Sequence, residues 1–153
     1  PIRKRDVVRA RFAFCITLQM ICFAFCTALT LLRMTVLADA LPYVQNPMMN
    51  ANLAYLGDCL MIYGLFNLCF VRSFFSTAYR IGRPFIVFAI AAFVVIALGE
   101  TLHHLPGLQA LNAQDFSGLT LQCIPLAAGL LFYLIATPLA SHFAQTRFEA
   151  LDL

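Results

Sequence analysis

Residues 12–32 read FAFCITLQMICFAFCTALTLL, 21 positions without a charge, closed by Arg11 on one side and Arg33 on the other. A helix rises about 1.5 Å per residue and needs about 20 mostly apolar residues to cross a hydrocarbon core of about 30 Å. This run meets that length. It lacks the alternation of a barrel strand, which needs only about 10 residues, so it predicts a transmembrane helix. Residues 119–140 repeat the pattern over 22 uncharged positions. Residues 53–71 do so with Asp58 and Asn67 as polar interruptions, and residues 84–102 with Glu100 near the end. The expected fold is all-α and polytopic, with four transmembrane helices.

Composition agrees. Of 153 residues, 62% are hydrophobic and 11% charged, against about 45–50% and about 25% in soluble domains. Seventeen charged residues cannot cover such a core in water. A soluble monomer, a disordered chain and a nucleic-acid-binding domain are excluded. The lipid bilayer is the expected partner.

Turn-forming residues separate the spans: Pro42, Asn46, Pro47 and Asn50, then Gly82 and Pro84, then Pro106, Gly107 and Asn112. Pro84 suits the first turn of a helix. Nine of the ten basic residues (Arg3, Lys4, Arg5, Arg9, Arg11, Arg72, Arg80, Arg83 and Arg147) fall on one side of the four spans, and Arg33 alone on the other. By the positive-inside rule both chain ends are expected in the cytoplasm, with the loops 35–52 and 101–117 outside. Phe74, Phe75, Tyr79 and Phe143 stand where interfacial aromatics belong. The chain starts at Pro1 without Met and without a signal peptide, and is expected to be a piece of a longer protein.

Few residues within the spans carry chemistry. Cys15, Gln19, Cys22, Cys26 and Arg33 share an arc of about 60° on a helical wheel, a weakly polar face suited to close helix packing. The six cysteines form no CxxC pair, although Cys59 and Cys123 lie at similar depths. Asp58 and Asn67 are about 180° apart and cannot line one face. Gly57 and Gly64 share a face that admits a second helix. In the last span Gln122, Pro125, Gly129, Tyr133 and Ala136 fall near one face, and Pro125 and Pro138 are expected to kink it. Gln19, Asp58, Asn67 and Gln122 are therefore the candidates for helix packing or a pathway. His103 and His104 are adjacent in an outer loop, too poorly matched with His142 for a bis-histidine haem. No zinc, phosphate-loop or nucleophile motif is present.

Two stretches of sequence resemble a family. Pro1-Ile2-Arg3-Lys4-Arg5-Asp6-Val7-Val8-Arg9-Ala10-Arg11-Phe12 is similar to the cytoplasmic element before the third helix of type-2 ATP-binding-cassette (ABC) permeases. That element typically reads Leu-Pro-Val/Ile-Ser-Arg-Lys-Asp/Glu-Ile-Val-x-Ala/Ser-Lys/Arg-Tyr/Phe. Phe66-Asn67, followed by Phe74-Phe75-Ser76-Thr77-Ala78-Tyr79-Arg80-Ile81-Gly82-Arg83-Pro84-Phe85, resembles the aromatic Tyr-Lys-x-Gly-Lys-Pro-Phe turn between the fourth and fifth helices. Arg3 stands where Ser is common, which removes a hydroxyl cap, and Lys4-Arg5 inverts the usual order while keeping the charge.

The resemblance implies the last four of six helices of an exporter permease in a bacterial cytoplasmic (inner) membrane, missing an N-terminal helix pair. A short cytoplasmic helix would dock on a separate ABC ATPase subunit through Arg3, Lys4, Arg5 and Asp6. Tyr79, Arg80 and Arg83 would make secondary contacts. The chain itself would have no catalytic residue and no cofactor, with ATP and Mg bound by the ATPase. The assembly would pair two permeases, as a homo- or heterodimer. The alternatives are a free-standing four-helix scaffold or channel-like subunit, and a membrane oxidoreductase using the cysteines.

Overall fold

The computed structural model describes residues 3–40, 48 and 50–151. Pro1 and Ile2 of the first motif, and Pro42, Asn46 and Pro47 of the first loop, lie outside the described residues. The elements are α1 (Lys4–Thr35), α2 (Leu53–Leu65), a π-helical turn (Phe66–Val71), α3 (Arg72–Ser76), α4 (Gly82–Leu102) and α5 (Leu119–Glu149), with short 3-10 turns at Gln109–Asn112 and Phe116–Gly118. Four stretches are long and apolar enough to cross a membrane: α1, Leu53–Ser76, α4 and α5. Each contains one of the four spans expected from sequence.

Two of them far outrun the apolar segment. α1 has 32 residues and α5 has 31, about 48 and 46 Å of helix against a core of about 30 Å. The expected short, separate helix before the first span does not exist as such. Lys4 to Arg11 are the first turns of α1 itself. Alanine, arginine and lysine are good helix formers, so the arginines end the apolar run without ending the helix. Arg3 is the N-cap, with extended backbone and no side-chain capping bond, as expected where Ser is replaced.

α1 begins where α5 ends, and this end of the bundle is called basal below. Nine of the ten basic residues belong to basal segments; Arg33, near the other end of α1, is the exception. The main apolar core is also basal: Val8 and Phe12 of α1, Val71 and Phe75, and Ala140, Ala144 and Phe148 of α5. Phe75 is thus a core residue at 2% exposure, where sequence had suggested an interfacial ring.

α2 and α5 make the closest contact. A Cβ added at Gly129 would overlap the backbone of Gly57, and one at Gly57 would overlap the Pro125 carbonyl. Gly64 meets the ring of Phe132 in the same way. The shared glycine face read from sequence is this interface. α5 continues through Pro125 and Pro138 as one helix. By contrast, most of α4 faces outward, with Phe85, Ile86, Ile90, Phe93 and Val94 all exposed, as lipid contact requires.

Candidate functional site

A polar network sits at the centre of the bundle. Gln19 of α1 and Asn67 of the π turn form a reciprocal amide pair: Gln19 Nε2 donates to Asn67 Oδ1 at 2.9 Å, and Asn67 Nδ2 donates to Gln19 Oε1 at 3.1 Å. Asn67 Nδ2 also donates to Thr137 Oγ1 at 3.0 Å. Tyr133 OH donates to Gln19 Oε1 at 3.0 Å. All four side chains are buried. An unsatisfied polar group in hydrocarbon is costly, so the four side chains hold three helical segments in one register. Asn67 lies where the helix widens: the Arg72 amide donates to its carbonyl across five residues. Such π turns are frequent at functional sites.

The second cluster is basal. Lys4 Nζ donates to the Leu151 carbonyl, Arg5 Nε pairs with Glu149 Oε1 at 2.6 Å, and Arg9 Nε donates to Gln145 Oε1 at 3.0 Å. These bonds tie the start of α1 to the end of α5. The turn after α3 packs beside them. Tyr79 lies 5.2 Å from Phe74, 6.0 Å from Phe75 and 5.5 Å from Phe148, centroid to centroid. Ala78 and Tyr79 have φ of 51° and 68°, the left-handed region that disfavours a side chain. The Tyr79 amide donates to the Phe74 carbonyl at 2.9 Å, which closes the helix end as a Schellman motif with Ala78 in the place Gly usually takes. Arg3, Asp6, Arg80 and Arg83 are exposed around this cluster.

The remaining candidates lie elsewhere. Asp58 is half-buried, with Glu100 as its acidic neighbour, and takes no part in the amide network. Gln122 is fully buried near the distal end, where its Nε2 donates to the carbonyls of Ala110 at 3.1 Å and Ala113 at 2.8 Å. It clamps the loop that leads into α5. Asn52 caps α2 through the amides of Ala54 and Tyr55, and its Nδ2 donates to the Leu111 carbonyl at 2.7 Å. The Asn50 amide donates to Asn112 Oδ1 at 2.7 Å. Sequence reading had taken Asn50 and Asn112 only as turn formers and passed over Asn52; an Asn directly before an apolar run was the available signal for the cap.

Cys15, Cys22, Cys26, Cys59, Cys69 and Cys123 are all free, and Cys59 neighbours Cys26 and Tyr55. His103 and His104 do not diverge as adjacent helical residues do. α4 ends at Leu102, and their ring centroids are 4.0 Å apart. Among the described residues no three His, Cys, Asp or Glu side chains gather as metal ligands.

The four membrane-length stretches thus share a basic end at which the two motif segments come together. A family model described as ABC-2 family transporter protein matches residues 1–143. The chain belongs to this family. No curated protein and no solved structure matches it. As an ABC-2 family transporter membrane protein it is a permease rather than an enzyme, which sets aside the oxidoreductase alternative. The match covers both stretches on which the resemblance rested.

Proposed function

We propose that this permease is the membrane subunit of an ATP-driven exporter, the last four helices of a six-helix protein in a bacterial inner membrane. It acts as a homo- or heterodimer, with both ends of this chain cytoplasmic, as nine basal basic residues favour. ATP and Mg are bound by a separate ABC ATPase subunit, which docks on Arg3, Lys4, Arg5 and Asp6 and, secondarily, on Tyr79, Arg80 and Arg83.

The observation that carries this reading is the continuity of α1. One uninterrupted helix leads from the basic tip at Lys4 to Gln19 in the buried network, a distance of about 22 Å. A displacement imposed on the tip by a closing ATPase dimer reaches the middle of the membrane without a flexible joint. The ion pair Arg5–Glu149 is half-exposed, and such pairs hold weakly, so a partner can replace it. The π turn at Asn67 gives the receiving segment a winding that can change.

The test is co-purification of the full-length permease with its ATPase. Reversal of Arg3, Lys4 and Arg5 to Glu should reduce the complex at least tenfold and abolish permease-dependent stimulation of ATP hydrolysis. Orientation is checked separately with cysteine-accessibility labels, because the same charges support topology. Unchanged assembly in a correctly oriented protein would contradict the docking role.

A further inference from the structure

Beside the basal cluster, three cations face one cavity, and among the described residues no carboxylate lines it. The cavity has a volume of about 600 Å³ and lies between α3, the first turns of α4 and the end of α5. Arg72 reaches it from the start of α3, Arg83 from the start of α4 and Arg147 from the last turn of α5. The basal ion pair among the described residues uses Arg5 and Glu149 instead. Arg72 is steadied by the face of Phe143, its guanidinium carbon 5.2 Å from the ring centroid.

The rest of the lining is suited to an anion at a membrane surface. Ser73, Ser76 and Thr77 contribute hydroxyls from α3 and its turn. Ser76 and Thr77 now donate to the carbonyls of Arg72 and Ser73, each at 2.9 Å, and a hydroxyl can rotate toward a stronger acceptor. The first turn of α4 has no side-chain cap, and on the cavity wall it leaves the Arg83 amide as a donor, since Pro84 has none and the Phe85 amide donates to the Ile81 carbonyl. Pro84 and Val87 form the apolar wall. Val87 is five residues into α4, about 7 Å beyond its start, so the cavity extends along α4 toward its apolar span.

We propose that Arg72, Arg83 and Arg147 form a site for the phosphate-bearing headgroup of an anionic phospholipid in the leaflet at the basal end. Three like charges from three elements repel one another when the cavity is empty, and a phosphodiester removes that repulsion. Basic pockets between transmembrane helices on the cytoplasmic side recognise such headgroups. A bound lipid bridges α3, α4 and α5 and fixes the turn that carries Tyr79 and Arg80. The site shares Arg83 with the proposed docking contacts, and lipid retention measured on the permease alone separates the two roles.

The experiment is native mass spectrometry of the full-length protein released from detergent with phosphatidylglycerol or phosphatidylethanolamine added in defined amounts. The wild type should retain phosphatidylglycerol in preference. Arg83→Gln should lose that retention about fivefold, and Arg83→Gln with Arg147→Gln about 25-fold, at about a factor of five per cation. Arg83→Lys with Arg147→Lys should keep most of it, which excludes a folding defect. Arg9→Gln and Arg11→Gln, basal but outside the cavity, should leave lipid retention unchanged. Equal loss in those two controls would mean diffuse surface charge and overturn the site. Displacement of the lipid by millimolar inorganic phosphate would mean a soluble anion and overturn the lipid. So would a double variant that keeps its lipid and loses only its association with the ATPase.

Discussion

α2 and α5 meet backbone to backbone, whereas α1 meets the rest of the bundle through side chains. At the first contact Gly57 and Gly129 leave no room for a Cβ on either helix. At the second, α1 is held by the Gln19 amide in the middle and by Lys4, Arg5 and Arg9 at its tip. In a membrane, where lipid solvates apolar side chains as well as a neighbouring helix does, close packing and hydrogen bonds supply the specificity. The glycine contact has one solution. Hydrogen bonds between side chains can be exchanged, one partner for another, at small cost. We propose that α2 and α5 form one body and that α1, held by exchangeable side-chain contacts, is the element that moves against it.

The largest effect is expected from Gly129→Val, which forces side-chain atoms into the Gly57 backbone. It should lower stability by about 3 kcal/mol or more, read as loss of the folded fraction in thermal unfolding in detergent. A tolerated valine would break the claim that this pair is rigid. Next comes Asn67→Leu, which strands the Gln19 amide in the bundle centre and should cost about 1–2 kcal/mol. Combining it with Gln19→Leu should recover part of that loss, because the stranded amide is removed, and only the smaller Tyr133 and Thr137 hydroxyls then lose a partner. A double variant worse than the single would mean that packing, and not hydrogen bonding, holds α1. The smallest effect belongs to Arg5→Gln, which removes a half-exposed ion pair and should change stability by about 0.5 kcal/mol, less at high salt. Its larger consequence is kinetic: amide hydrogen exchange in the first turns of α1 should accelerate while that of α2 is unchanged.

The spans were legible because hydrophobicity reports the membrane directly. Helix ends were less so, since α1 and α5 continue past the apolar core on residues that favour helix and water together, such as Arg9, Ala10 and Gln145. The glycine interface was legible from the i, i+7 spacing of Gly57 and Gly64. The amide network was legible only as isolated members. Gln19 and Asn67 are 48 positions apart, and nothing local announces that they pair or that the helix widens to a π turn over Phe66–Val71. Gln122, read as a candidate for helix packing or a pathway, has donors that satisfy loop carbonyls, a demand set by tertiary structure and not by its own span. Phe75, read as interfacial from its place near Arg72 and Arg80, is drawn inward by Phe148.

The most direct test of the moving element is a pair of spin-label distances in the assembled transporter, with the six native cysteines of this chain replaced. One pair joins Phe25→Cys on α1 to Leu131→Cys on α5, both at exposed positions. The other joins Met61→Cys on α2 to Leu131→Cys. Addition of ATP to the assembly should shift the α1–α5 distance by about 2 Å or more and leave the α2–α5 distance within its original distribution. A change in the α2–α5 distance, or a fixed α1–α5 distance in an assembly that hydrolyses ATP, would contradict the account.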